Sequence, residues 1–281
     1  MEEFVVGVDG SDESRLALRW AASVAERARA QLRIVTAWTY PALGVLRPKP
    51  EPLAPAEDMD AQALEALDAQ VKQELGDVPP FVSTQVLRGP AAGALLRTVA
   101  PDGVVVLGSR GRGGFAGLVL GSVSRECVEH APCPVVIVQH ERSIGRSSGP
   151  IIVGEDGSAN GTRALKWALE LRDHVGGDVV AAHAWTAQMS EVRPTLRDRL
   201  ASQAHAGVTA RVADHDVEVV EIEGDPREEL VDLATKMDAS MLVVGRRGES
   251  RLRGIMLGGV STYLVSNSPT TIAVIPPPPD N

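Results

Sequence analysis

Two glycine patterns, each at the end of an apolar run, hold the residues of this chain that could do chemistry. The run 104–107 leads into Gly108-Ser-Arg-Gly111, and nine residues later come Gly121 and Ser122. Glycine lets a ligand approach the backbone closely, and the free N–H groups at a helix N-terminus favour negative charge. A strand that ends in glycines, followed by a helix that opens on Gly-Ser, therefore predicts a phosphate site.

The same pattern returns 137 residues later in the chain. The run 241–244 leads into Gly245-Arg-Arg-Gly248, and nine residues later come Gly258 and Gly259. A second motif, Val-Gly-x-Asp-Gly-Ser, also occurs twice, with its aspartate at Asp9 and Asp156. Self-similarity of this extent indicates duplication. The chain is therefore interpreted as two copies of one nucleotide-binding module.

The length of 281 residues suits two domains of about 100–150 residues each. We predict a first domain over 1–142, a linker over 143–150, a second domain over 151–276 and a tail over 277–281. The ten extra residues of the first half are assigned to the proline-rich stretch that follows Tyr40, where proline disfavours helix and central strand. Strands alternate with helices, which predicts an α/β fold of two tandem Rossmann-like domains with parallel sheets and helices on both faces.

In a sheet of this kind, ligands bind at the carboxyl ends of the strands, where the chain switches direction. In strand order 3-2-1-4-5, strands one and four are neighbours, and Asp9 faces the segment 108–111. The excursion after Gly111 would arch over a ligand, and Ser122 would return at a helix N-terminus beneath its phosphates. Asp9 could accept hydrogen bonds from ribose hydroxyls or help to hold a phosphate-bound metal ion. An aspartate cap and ordinary turn glycines are the alternative explanation, but their joint recurrence favours a ligand site.

Composition and missing motifs exclude several other functions. The net charge of −9 and the aromatic content of 3% argue against nucleic acid and anionic membranes as partners. The phosphate loop of P-loop NTPases, the dinucleotide fingerprint after strand one and Gly-x-Ser-x-Gly are absent. The six histidines show no metal spacing, and Cys127 and Cys133 are interpreted as reduced structural residues. Without a signal segment or an apolar stretch of about 18–20 residues, a cytoplasmic protein is expected.

The two corner motifs and the Gly-(9)-Gly-Ser signature together resemble the universal stress protein family. The resemblance covers both halves, so the chain looks like a tandem bacterial member. It implies a five-stranded parallel sheet in each half and binding of ATP, often with a divalent cation such as Mg or Mn. It also implies stress adaptation or growth regulation through binding rather than a metabolic reaction. Association through the last strands 134–138 and 271–275 would form an internal pseudo-dimer; a homodimer of whole chains and the protein partner stay open.

Transferred motif by motif, the resemblance assigns two nucleotide sites. The aspartates would lie near the nucleoside and a possible metal ion, the ends of the second strands near the adenine, and the glycine loops and helix starts at the phosphates. The first site would comprise Gly7, Asp9, Ala37, Gly108, Arg110, Gly111, Arg112, Gly121, Ser122, Val123 and Ser124. The second would comprise Gly154, Asp156, Ala184, Gly245, Gly248, Gly258, Gly259, Val260 and Ser261.

One position departs from the signature, because Gly259 stands where Ser or Thr is expected. The second site would be several-fold to about a hundredfold weaker for loss of one hydroxyl donor, unless Ser261 replaces it or Arg251 and Arg253 compensate by charge. Three functions follow in order. The first is an ATP-binding regulatory protein that acts as a nucleotide sensor. The second is a slow ATPase with Asp9 or Asp156 as its base, and the third is an interaction module whose pockets are vestigial or bind cyclic AMP.

Overall fold

Apolar strands alternate with helices along both halves of the chain. The structure, a computed structural model, describes residues 1–40, 55–111, 120–141, 144–145, 148–185, 206–210, 212, 215–248 and 257–278. All five residues of the strand at 104–108 are buried, which explains its unbroken apolar sequence. The strands are β1 (Glu3–Gly7), β2 (Gln31–Trp38), β3 (Val82–Arg88), β4 (Val104–Gly108), β5 (Val135–Val138), β6 (Ile151–Gly154), β7 (Val179–Trp185), β8 (Glu218–Glu223), β9 (Met241–Gly245) and β10 (Thr271–Ile275).

The helices that connect the strands begin at residues suited to capping them. The Ser11 hydroxyl accepts a hydrogen bond from the Ser14 amide at 3.2 Å, and the Ser158 hydroxyl accepts one from the Gly161 amide at 3.0 Å. Each bond satisfies an amide that the first helical turn leaves without a partner. The helices are α1 (Asp12–Ala28), α2 (Ala56–Leu75), α3 (Ala91–Thr98), α4 (Ser122–His130), α5 (Ala159–Val175), α6 (Pro226–Lys236) and α7 (Gly259–Asn267).

The strands form one sheet in the order β3-β2-β1-β4-β5-β10-β9-β6-β7-β8. The predicted order 3-2-1-4-5 is therefore confirmed in the first half and recurs, reversed across the sheet, in the second. Within each half every neighbouring pair is parallel. The fold class, two tandem α/β units with flanking helices, is also confirmed.

Helices cover both faces of this sheet. Because side chains alternate along a strand, Phe4 and Val6 belong to the apolar cluster on one face and Val5 to the cluster on the other. Helices α1, α2 and α5 contribute to the first cluster, and α3, α4, α6 and α7 to the second. Trp20 of α1 packs edge-on against Phe4 with ring centroids 6.5 Å apart.

An antiparallel pair of strands joins the two halves. In this pair Val136 of β5 lies opposite Ala273 of β10, and Ile137 lies opposite Ile272. Side chains also cross the junction: Nη1 of Arg246 donates to the Ala131 carbonyl at 2.8 Å. The pairing expected of an internal pseudo-dimer is thus present in the structure. Because β10 runs against β5, the carboxyl ends of the first-half strands and those of the second-half strands lie at opposite edges of the sheet.

Element bounds agree with the sequence predictions to within a residue or two. The helix expected over 57–76 is observed at Ala56–Leu75, and Ser11 is the cap of α1 where Ser11 or Asp12 was expected. The proline-rich stretch lies largely outside the described residues, as do parts of the linker, so the domain limits stay a prediction. In the part of the chain that the structure describes, no helix has the length and apolar character needed to cross a membrane.

Both cysteines lie in the core, and burial raises the pKa of each thiol, Cys127 and Cys133, to about 12. Because the thiolate is the reactive form, we expect neither thiol to react with Ellman's reagent in the folded chain near pH 8. In urea, both thiols of each chain should react. Rapid labelling of the native protein, with its circular dichroism unchanged, would contradict this burial.

Candidate functional site

Each half of the chain carries a crevice at the carboxyl ends of its central strands. The first pocket opens between β1 and β4 with a cavity of about 380 Å³, and the second opens between β6 and β9 with a cavity of about 230 Å³. The first pocket is lined by all the predicted first-site residues except Arg112, which lies outside the described residues. All nine predicted second-site residues line the second pocket.

A close contact between the two corner motifs forms the floor of each pocket. A Cβ atom added to Gly111 would lie 2.3 Å from Oδ2 of Asp9, and one added to Gly248 would lie 2.4 Å from Oδ2 of Asp156. Both distances are shorter than real Cβ contacts allow, so only glycine permits this approach. The aspartates do face the glycine loops, as the strand order predicted.

The aspartates are held by their own turns. Oδ1 of Asp9 accepts hydrogen bonds from the amide of Ser11 at 3.0 Å and from its hydroxyl at 2.6 Å. Oδ1 of Asp156 accepts the amide of Ser158 at 3.0 Å. The turn role considered for Asp9 is therefore real, and it coexists with a position in the pocket wall. Fixing Oδ1 in this way orients the second carboxylate oxygen toward the glycine loop.

The helices that begin at the pockets lack side-chain caps. Gly121 is the N-cap of α4 and Gly258 is the N-cap of α7, and neither helix has a side-chain hydrogen bond at its start. The first amides of a helix have no partner within it. By contrast, Ser11, Ser158 and Asp225 cap α1, α5 and α6. The pockets therefore present helix N-termini whose amides and positive dipole ends suit an anion.

Two predicted phosphate contacts have another partner in the structure. The hydroxyl of Ser124 donates to the Gly108 carbonyl at 2.8 Å, and that of Ser261 donates to the Gly245 carbonyl at 2.7 Å. Each hydroxyl has one proton, so neither can also donate to a phosphate while this bond lasts. The expectation that Ser261 replaces the missing hydroxyl at Gly259 is therefore wrong for this arrangement. Both serines instead tie a helix to its glycine loop.

The cationic side chains differ between the pockets. Arg110 lies 3.1 Å from Oε1 of Glu13, with half of its side chain exposed, so this ion pair contributes at most about 1 kcal/mol. In the second half Asn160 stands at the place of Glu13, and its Nδ2 donates to the Arg247 carbonyl at 3.0 Å. Arg251 and Arg253 lie outside the described residues.

Apolar side chains form the remaining walls. Ala37 and Ala184, at the ends of β2 and β7, line their pockets as expected. The sequence analysis missed the contributions of α3 and α6, which supply Leu95 and Leu230. It also missed Glu155, a pocket residue that a position-by-position comparison with Val8 would have revealed. The described residues contain no group of three or more His, Cys, Asp or Glu placed to hold a metal ion.

The fold and the paired crevices define a tandem, doubly wound α/β protein with two phosphate-compatible pockets. The family model described as "Universal stress protein family" matches residues 1–139 and 148–276. The chain belongs to the universal stress protein family, a family of stress-response proteins.

Known proteins of similar length show the same tandem organisation. The universal stress protein Rv1996 of Mycobacterium tuberculosis is 29% identical over 305 residues, which cover 98% of this chain and 96% of the relative. The crystal structure of a universal stress protein from Archaeoglobus fulgidus DSM 4304 matches with a TM-score of 0.65, 17% identity and 98% coverage of both chains. A universal stress protein solved in complex with cAMP matches 46% of this chain and 98% of its own, at 27% identity and a TM-score of 0.36.

The start of α6, in the wall of the second pocket, generates a prediction about acid titration. Arg227 donates to Asp225 from its side chain and from its amide, and these bonds lower the pKa of Asp225 from 3.8 to about 2. A lowered pKa stabilises the fold above the ordinary value, and this contribution is lost as the pH falls from about 4 through 2. NMR titration should place the Asp225 midpoint near 2, and Arg227→Ala should raise it. A midpoint of about 4 in the native protein would contradict the hydrogen-bonded cap.

Proposed function

We propose that the first pocket binds an adenine nucleotide, ATP, and that its occupancy is how this protein acts in the stress response. The observation that carries the proposal is the repeated construction of the pocket. In both halves a carboxylate, a glycine loop and an uncapped helix N-terminus meet at the carboxyl ends of the same two neighbouring strands. Unrelated turns do not explain why all three features meet twice.

The residues of the first pocket divide into a polar end and an apolar end. At the polar end, the amides of Ser122, Val123 and Ser124 at the start of α4 would receive the phosphates. At the apolar end, Val35, Leu95 and Leu107 offer a surface for the base, next to the backbone at Ala37. The carboxylate of Asp9 lies between these ends in the motif order, where it could accept ribose hydroxyls or contact a metal ion.

A divalent cation fits this pocket only together with the nucleotide. Asp9 is the one carboxylate among the described residues that line the first pocket, and hard cations require several oxygen ligands. Phosphate oxygens and water would have to complete the coordination at Asp9, and likewise at Asp156. When bound, Mg²⁺ or Mn²⁺ would offset part of the phosphate charge.

The pocket chemistry favours binding over turnover. Among the described residues that line the first pocket, the charged side chains are Asp9 and Arg110, and no histidine is present. Asp9 already accepts two hydrogen bonds from Ser11, which makes it a weak base. Amides at a helix start recognise phosphate without counting phosphoryl groups, so cyclic AMP is an alternative ligand that the experiment must distinguish.

The proposal is tested first on the purified, undialysed protein. We expect heat denaturation to release ATP, identified and counted per chain by ion-pair chromatography. Protein stripped of nucleotide should melt at a higher temperature with ATP and Mg²⁺, since a ligand at a hundredfold excess over Kd adds about 2.7 kcal/mol. Release of cyclic AMP would replace ATP as the ligand. Empty protein whose melting is unaffected by either nucleotide would overturn the proposal.

The difference between Ser122 and Gly259 provides a reciprocal test in the two pockets. Ser122→Ala should weaken ATP binding in the first pocket by several-fold to about a hundredfold, because a hydroxyl donor to a charged phosphate is lost while the amide remains. Gly259→Ser should strengthen the second pocket, since a Cβ at this position meets nothing within 4 Å. Both effects are measured by isothermal titration calorimetry.

Gly259→Ala is the matched control for this pair, because it changes the backbone freedom without adding a donor. It should leave the second-pocket affinity close to that of the unmodified chain. Equal effects of Gly259→Ala and Gly259→Ser would show that the hydroxyl is irrelevant at this helix start.

A further inference from the structure

The two pockets differ in one buried wall position. Val8 and Glu155 occupy equivalent places just after β1 and β6, where each amide donates at 2.9 Å to the neighbouring strand, at Val35 and Ala182. Both residues line their pockets. Val8 is an apolar residue with 5% of its surface exposed, and Glu155 is an acidic residue with 2% exposed. The second pocket therefore has a carboxyl group where the first has a methyl surface.

Glu155 is held in position by its surroundings. Its Oε1 accepts the amide of Gly157 at 2.7 Å, and its backbone carbonyl lies 2.7 Å from Nδ1 of His183. Because both the carboxyl group and the main chain are engaged, the side chain has little freedom to leave the wall. Its charge is a fixed property of the second pocket.

A second difference makes room for this carboxyl group. In the first half Ser14 follows the corner motif, and its hydroxyl donates to the Ser11 carbonyl at 2.8 Å. The equivalent residue in the second half is Gly161. A Cβ added there would lie 2.8 Å from Oδ1 of Asp156 and 3.1 Å from Oε1 of Glu155. The exchanges at these two positions are thus complementary, and they bring two carboxyl groups together beside one helix start.

A carboxyl group at the rim has a smaller effect than one in the wall. Glu13 has no acidic counterpart in the second half, where Asn160 stands, so the total number of acids nearby is similar. However, Glu13 does not line the first pocket, its side chain is 26% exposed and it is paired with Arg110. Charges in contact with water are screened, whereas a buried charge acts through a medium of lower effective dielectric constant. Glu155 therefore dominates the difference.

We propose that Glu155 makes the second pocket selective for nucleosides and nucleotides of low negative charge, while the first pocket accepts the polyphosphate. This inference rests on the proposed function, since it assumes that both pockets take adenine ligands. Three independent features of the second pocket act in the same direction: the buried acid at 155, the missing hydroxyl at 259 and the smaller cavity of about 230 Å³ against 380 Å³. The two halves thus bind different ligands of one chemical class.

The experiment compares ATP, AMP and adenosine by calorimetry on the full chain, in EDTA so that no divalent cation offsets the phosphate charge. The unmodified protein should show one class of sites that prefers ATP and one that prefers adenosine or AMP. Glu155→Gln, which keeps the shape and removes the charge, should tighten ATP binding in the second class by on the order of ten- to a hundredfold. Its adenosine affinity should change far less.

Controls separate charge in the wall from charge in general. Glu218→Gln removes an exposed carboxylate at the start of β8 and should leave both classes unchanged. Glu155→Val with Gly161→Ser restores the first-pocket residues and should give the same gain as Glu155→Gln if that variant folds poorly. An unchanged ratio of ATP to adenosine affinity in both Glu155 variants would overturn the inference. Absence of any adenine ligand from both pockets would instead refute the proposed function.

Discussion

The antiparallel pairing of β5 with β10 is the interaction on which the arrangement of the whole chain depends. A five-stranded parallel sheet ends in an edge strand whose backbone amides and carbonyls need partners, and β5 consists entirely of buried apolar residues. Pairing it with β10 satisfies both edges at once and continues the apolar layers on the two faces. Two modules that would each expose an adhesive edge thereby become one ten-stranded sheet.

The site in each half follows from the parallel sheet itself. All strands of one half point the same way, so the turns after β1 and β4 meet at one edge, and crossover helices return above them. The corner can close only because Gly111 leaves space for the carboxylate of Asp9. An acidic protein with a net charge of −9 can then hold an anion through local amides at a helix start, without a basic surface.

The sequence predicted the features that depend on local rules and on the repeat. Alternating strands and helices established the strand order, and glycine after an apolar run located the approach of Asp9 to its loop. It did not predict the use of the Ser124 and Ser261 hydroxyls, because a serine at a helix start can donate to a ligand or to a nearby carbonyl, and only the packing of α4 and α7 decides between them. The wall residues of α3 and α6 depend on how those helices lie across the sheet, which periodicity leaves undetermined.

The opposite directions of the two half-sheets restrict what can be in contact with both pockets. Ligands in the two crevices sit at opposite edges of one continuous sheet, so they cannot touch, share a metal ion or be covered by one flat surface. A partner that reads the state of the first pocket leaves the second open to solvent. A complex that senses both must therefore surround the molecule or contain two copies of the partner, one on each side.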